Sequence, residues 1–131
     1  MQRLAGRLFL PLPPEITVMQ VSTITIDVSL DPQKIPVDIH WNASQSNADE
    51  KQQARAMMVS FWDPKEKAAM RVDLWTKDMM VDEMGDFFYQ NLMTMADTFE
   101  RATHQKELVG EMKQFARDFY KKFRDKLMEQ Q

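Results

Sequence analysis

Two side chains able to bind a metal, Asp38 and His40, lie two residues apart in the first third of the chain. Residues at this spacing share one face of a β-strand, and Asp27 could approach them from a neighbouring strand. A zinc site needs three or four ligands, so a metal-dependent enzyme built on Asp27, Asp38 and His40 requires a further partner. A solvated polar sheet face explains the same residues, and we expect no metal and no cofactor.

Motifs for covalent catalysis and phosphate binding are missing from the sequence. The chain contains no cysteine, no Gly-x-Ser-x-Gly motif and only three widely separated glycines. Nucleophilic catalysis and a phosphate-binding loop are therefore not predicted. Paired carboxylates such as Asp82/Glu83 and Asp97/Glu100 lie on the predicted polar side of the helix, and His104 has no carboxylate at motif spacing. We expect no catalytic residues and no enzyme activity.

Large apolar side chains on a polar strand face are the better candidates for function. Trp62 and Trp75 alternate with core positions of their strands and share a face with Arg71 and Asp73, predicted to point away from the helices. Met58 is a diagonal neighbour of Trp75 across the predicted hairpin. Aromatic anchors with charged surroundings are typical of protein interfaces. The predicted partner-contact residues are Trp75, Met58, Trp62, Arg71 and Asp73, with Trp75 first. Burial of the tryptophans under loop 43–54 or under the N-terminal extension is the alternative.

The stretch Asp73–Thr103 contains the longest apolar pattern of the chain, and the rest of the fold is predicted to pack on it. After an alternating strand end, the period changes to steps of three and four residues, which indicates an amphipathic helix. Asp78 is the predicted N-cap. The stripe predicted to be buried consists of Val81, Met84, Phe88, Leu92, Met95, Phe99 and Ala102.

Alternating apolar residues before this helix predict four strands in two hairpins. The strands lie at about Ser22–Leu30, Lys34–Asn42, Ala56–Trp62 and Ala69–Thr76. A four-residue turn sets Leu30 opposite Ile35 in the first hairpin, and the second hairpin pairs Phe61 with Met70. Residues 43–54 are polar and without periodicity, and are predicted to form a linking loop.

A second amphipathic helix is predicted at about His104–Met128, with Thr103 as its cap. The stripe predicted to be buried on this helix consists of Leu108, Met112, Phe115, Phe119, Phe123 and Leu127. The short link between the two helices makes them antiparallel neighbours. The predicted fold is α+β, with a four-stranded antiparallel sheet followed by two antiparallel helices packed on one face.

The first 18 residues do not share this pattern. Three closely spaced prolines rule out a continuous helix or central strand there. We predict that residues 1–18 are a disordered N-terminal extension, with a proline-rich ligand segment as the alternative, and that Met19 could be the natural start. Residues 19–131 are predicted to form a single α+β domain, since 131 residues suffice for one core.

Composition indicates a soluble globular protein, with 44% hydrophobic and 28% charged residues. A net charge of −3 argues against nucleic-acid binding, which needs a basic face. No apolar run approaches the roughly 20 residues of a membrane span. The start of the chain lacks the apolar region and cleavage site of a signal peptide, so a cytoplasmic location is expected.

Several segments resemble one known protein family. MMVSFWDPKE, RVDLWTKDM, VDEM and above all MADTFERAT are similar to the gliding-motility protein GldC family of gliding bacteria, and the similarity extends over roughly Val21 to Lys126. The resemblance implies a soluble accessory protein of gliding motility without a known set of catalytic residues.

The sequence and the resemblance together predict a non-enzymatic accessory protein that acts through protein–protein contacts with a partner of the gliding machinery. A small chaperone-like module that binds apolar segments through its twelve methionines and Trp75 is the alternative. Whether the chain forms a homo-oligomer is left open.

Overall fold

The structure, a computed structural model, describes residues 19–130. Five strands precede two helices: β1 (Ile24–Leu30), β2 (Pro36–Ala43), β3 (Gln52–Ala54), β4 (Ala56–Asp63), β5 (Ala68–Trp75), α1 (Val81–Thr103) and α2 (Lys106–Glu129). The predicted α+β class, with antiparallel strands followed by two helices, is confirmed. The predicted extension, residues 1–18, lies outside the described residues.

The strands form two sheets, not the single four-stranded sheet predicted. One sheet has the order β1-β2-β3 and the other pairs β4 with β5. The additional strand, β3, lies in the segment 43–54 that was predicted to be a loop. Only Arg55 separates β3 from β4, so one bent segment pairs with β2 before the bend and with β5 after it.

The register of the second hairpin is as predicted, with Phe61 opposite Met70. The first hairpin is shifted by two residues, and Val28 pairs with Ile39. The cause is the turn, in which the Asp31 carboxylate accepts the backbone N–H of Ile35 at 3.0 Å. Ile35 therefore belongs to the turn and cannot pair with Leu30.

Both predicted helix caps are wrong. Helix α1 begins after Met80, whose backbone N–H donates to the Glu83 carboxylate at 3.1 Å. Asp78 instead accepts the Thr76 hydroxyl at 2.6 Å. The N-cap of α2 is Gln105, because α1 ends through His104 in the left-handed conformation.

The two helices pack closely because small residues face each other between them. Ala96 of α1 and Ala116 of α2 are fully buried, and Gly85 lies directly under the Phe123 ring. The helices are further joined by stacked rings and by an ion pair. These contacts are Tyr89 with Tyr120, with ring centres 4.5 Å apart, and Asp97 with Lys113 at 2.6 Å.

The apolar stripe of α1 is not buried as predicted. Val81 is 67% exposed and Met95 is 55% exposed. A neighbouring part of the helix faces the three-stranded sheet, where Phe87 borders the same small cavity of about 220 Å³ as Ile39 and Trp41. Helix α1 therefore contacts α2 on one side and the sheet on another, and residues 19–130 leave much of the stripe between these contacts exposed.

Candidate functional site

A groove of about 530 Å³ lies where the base of the β4–β5 hairpin meets both helices. This volume is within the range of about 300–1,000 Å³ found for ligand pockets. Strands, linker and helices all contribute to its walls. The lining residues are Ala56, Met57, Met58, Asp73, Leu74, Trp75, Met79, Met80, Val81, Met84, Gly85, Phe87, Phe88, Phe119 and Phe123.

The linker between β5 and α1 carries two of the lining methionines and is held firmly in place. Thr76 is almost fully buried, and its backbone N–H donates to the Arg55 carbonyl at 2.8 Å. The hydrogen bond from the Thr76 hydroxyl lowers the pKa of Asp78, with a smaller contribution from the Arg55 charge. Arg55 also reaches the Glu83 carboxylate of α1 at 3.3 Å. The bend in the strand and the start of the helix are thereby joined beside the groove.

The groove is apolar inside and charged at its rim. Among the described residues that line it, Asp73 alone has an ionisable side chain. Arg71 donates two hydrogen bonds to the Asp73 carboxylate, both of 2.9 Å, and this pairing raises the pKa of Arg71. Because Asp73 is already neutralised by Arg71, the groove is suited to an apolar ligand and not to a cation.

Three of the five predicted contact residues meet in this groove: Met58, Asp73 and Trp75. Arg71 lies beside them through its pairing with Asp73. Trp62 does not line the groove; it is 67% exposed and pairs with Ala69 near the far end of the hairpin. Met58 and Trp75 border the groove together with Met57 and Leu74 of the other strand face, so the base of the hairpin contributes both of its faces to the groove.

Several lining residues were not predicted from the sequence as contact residues. Met79 and Met80 lie outside every regular apolar stripe, and this irregular placement was the available signal for them. Phe119 and Phe123 fit the stripe of α2 and were assigned to the core. Only the packing of α2 against α1 brings these two rings to the groove.

The candidate metal ligands Asp27, Asp38 and His40 lie on the three-stranded sheet. His40 Nδ1 lies 2.9 Å from an Asp38 oxygen, and Asp27 is paired opposite His40. The second Asp38 oxygen accepts the Gln53 side-chain amide at 3.2 Å. Within residues 19–130, no three His, Cys, Asp or Glu side chains come together in a group that could hold a metal ion.

The family model described as gliding motility-associated protein GldC-like matches residues 36–125. No curated protein and no solved structure matches the chain. In the part of the chain that the structure describes, neither helix has the length and apolarity needed to cross a membrane. The family model matches residues 36–125, which is more than half of the chain, so the chain belongs to the GldC-like family.

Proposed function

We propose that this GldC-like protein is a non-enzymatic accessory protein of gliding motility that binds an apolar segment of a partner protein in the groove. The observation that carries the proposal is the lining of the groove, which combines five methionines with four phenylalanines and Trp75. The proposal includes a cytoplasmic location, which fractionation of a gliding cell tests.

The methionines indicate the kind of ligand. Their side chains are flexible and polarisable, and proteins use them on surfaces that adapt to apolar partners. An amphipathic helix presents apolar residues at steps of three and four, which fill such a groove as a row of anchors. The Arg71–Asp73 pair at the rim supplies the polar border usual at a protein interface.

The test compares Trp75→Ala with Trp62→Ala in a gliding bacterium that lacks the wild-type protein. Both residues are exposed tryptophans on the same face of one hairpin, but only Trp75 lines the groove. We expect both variants to fold, with free energies of unfolding within about 1 kcal/mol of wild type, as for surface sites generally. Trp75→Ala should lose the captured gliding-machinery partner and gliding itself, whereas Trp62→Ala should retain both.

Equal capture of the partner by wild type and Trp75→Ala would refute this role of the groove. The measurement is quantitative pull-down with equal amounts of folded protein, checked by circular dichroism. Gliding of the complemented cells provides an independent readout. Loss of partner by the Trp62→Ala control alone would place the contact elsewhere on the hairpin.

A chaperone-like module is the second candidate, favoured by the same adaptable methionine lining. The two functions differ in selectivity. A dedicated accessory protein should bind one partner segment at least about 100-fold more tightly than unrelated apolar helical peptides. A chaperone-like module should bind such peptides with similar affinities, measured by competition against one labelled peptide.

A further inference from the structure

Two apolar faces extend from the groove, and residues 19–130 leave a large part of each exposed. The hairpin face consists of Val59, Phe61, Met70 and Val72, where Phe61 is 64% exposed and Met70 is 59% exposed. The helical face consists of large apolar residues on both helices. Its members are Phe88, Met95 and Phe99 of α1 and Leu108 and Phe115 of α2, each at least 36% exposed.

The helical face is one continuous surface. On each helix its residues are separated by seven or four positions, which places them along a single stripe. The two stripes lie on the same side of the helix pair, because Phe88 of α1 lines the groove together with Phe119 of α2. The Phe115 ring stacks on Phe119 with ring centres 6.4 Å apart, and this contact extends the surface along α2.

The two faces start from the same groove without covering each other. Met57 and Leu74, the pair next to Val59 and Val72 in the hairpin, line the groove together with Phe88. Beyond the groove, the outer residues of both faces remain exposed. The hairpin face and the helical face therefore both begin at the groove and extend away from it as two separate apolar surfaces.

The two faces together expose about as much apolar area as one partner buries in a stable complex. Large apolar side chains offer about 150–250 Å² each, so the exposed fractions of these residues amount to roughly 800 Å². Each face alone is within the range of about 300–600 Å² that is typical of the largest apolar patch on a monomeric protein, and only the two faces together exceed it. One partner in a stable complex of standard size buries about 800 Å². The uncovered area therefore matches one half of a protein–protein interface.

We propose that a second copy of this chain covers both faces, with the hairpin face of each copy packed on the helical face of the other. Such an arrangement is symmetric and closed, and each apolar face is used once in every copy. The residues that make up the two faces are uncharged. Asp118 and Lys122 line a pocket together with Phe115, so the dimer must leave these two charges solvated or paired at the rim of the helical face. The Arg71–Asp73 pair points to the opposite side of the hairpin and stays solvated. The inference does not depend on the partner groove.

The first test measures the mass of the full chain by sedimentation equilibrium between about 1 and 100 µM. Wild type is expected at twice the chain mass of 15.5 kDa. Phe61→Glu and Phe115→Glu each place a charge in one face, and we expect each to weaken the dimer by about 100-fold or more, as at interface hot spots. Trp62→Glu is the matched control, because Trp62 is next to Phe61 on the other face and equally exposed.

The second test distinguishes reciprocal packing from pairing of like faces. Phe61→Glu is mixed with Phe115→Lys, each monomeric alone. In a heterodimer of the proposed kind, the unchanged hairpin face of the Phe115→Lys variant packs on the unchanged helical face of the Phe61→Glu variant. The other contact brings the introduced Glu and the introduced Lys together. We therefore expect a heterodimer from the mixture. If instead the hairpin face packed on the hairpin face and the helical face on the helical face, every contact in the mixture would contain one substituted face. The mixture would then stay monomeric.

A monomeric wild type at 100 µM overturns the proposal, as does a dimer that Trp62→Glu disrupts as strongly as Phe61→Glu. A mixture that stays monomeric rejects the reciprocal arrangement. One further outcome assigns the helical face to another occupant. If Phe115→Glu leaves the mass unchanged but increases proteolysis within residues 1–18, the chain's own first residues cover that face. Circular dichroism spectra that match wild type establish that the variants are folded.

Discussion

The two helical glycines of the domain should respond in opposite directions to the same substitution. Gly85 and Gly110 are each the fifth residue of their helix, so replacement by alanine gains a similar helix propensity at both sites, about 1 kcal/mol. At Gly110 an added Cβ meets nothing within 4 Å. Gly110→Ala should therefore stabilise the protein by about 1 kcal/mol.

At Gly85 the added Cβ would lie 1.9 Å from Cε2 and 2.4 Å from Cδ2 of the Phe123 ring. Carbon atoms pack at about 3.5–4.0 Å, so the ring has to move by more than 1 Å. Overpacking of this kind costs about 1–3 kcal/mol. Subtracting the gain in propensity, Gly85→Ala should change stability by about zero to 2 kcal/mol in the destabilising direction, and the two variants should differ by about 1–3 kcal/mol.

The assay is urea unfolding followed by circular dichroism at 222 nm, with all proteins at one concentration because dimerisation would otherwise shift the midpoint. The double variant Gly85→Ala/Phe123→Leu removes the ring and provides the control, since it should recover part of the loss. If Gly85→Ala stabilised the protein as much as Gly110→Ala, the close approach of Phe123 to the α1 backbone would be wrong. Phe123 also lines the groove, so the same variants report on its wall.

Three further outcomes follow from the contacts. The pKa of Asp31 is lowered above all by the hydrogen bond from the Ile35 N–H, and further by Lys77 and the Gln33 N–H. The Asp31 carboxylate therefore contributes its full stabilisation above about pH 4, and this stabilisation is lost as the pH falls through the folded-state pKa. Between pH 6 and pH 3, the urea midpoint of Asp31→Asn should consequently fall less than that of wild type. The Tyr120 hydroxyl donates to the Asp86 carboxylate at 2.5 Å, and this hydrogen bond raises the pKa of Tyr120. Its stabilisation is therefore present below about pH 10 and lost as the pH rises through the raised pKa. Tyr120→Phe should lower the thermal midpoint at pH 7, and the control is Tyr89→Phe, a substitution of the tyrosine that stacks on Tyr120. Phe99 is 36% exposed, so Phe99→Ala in the monomeric Phe61→Glu background should cost less than the roughly 3–5 kcal/mol of a fully buried phenylalanine, measured by urea unfolding.

The register of the second hairpin could be predicted because the apolar pattern and the short turn agree. Apolar alternation fixes the face of each strand, and the Asp63 carboxylate accepts the Lys65 and Glu66 backbone N–H groups in a short turn that fixes the register. In the first hairpin the turn is wider, because Asp31 binds the Ile35 N–H. A shift of two residues leaves every side chain on the same face, so the apolar pattern cannot distinguish the two registers.

The extra strand and most of the groove could not be predicted for a different reason. Strand β3 consists of Gln52, Gln53 and Ala54 and is held by backbone pairing with β2, which needs no apolar side chain. In the groove, Trp75 and Met58 were indicated by their positions on a polar strand face. Phe119 and Phe123 became groove residues only through the packing of α2, which no local pattern encodes.

The apolar stripes of the two helices could be predicted from the sequence, but the surface that covers each stripe could not. Their spacing predicts correctly that one side of each helix is apolar, and therefore that water should be excluded from it. Spacing does not identify what excludes the water. Small residues, Ala96 and Ala116, hold the helices together beside these stripes, and the bend at Arg55 divides the strands into two sheets. A stripe covered by the chain's own sheet and a stripe covered by a second copy have the same sequence pattern, and Phe99 and Phe115 were assigned to the core for that reason. Their exposure in the folded chain is consequently the observation that favours an intermolecular cover, and the masses of the Phe61 and Phe115 variants test it directly.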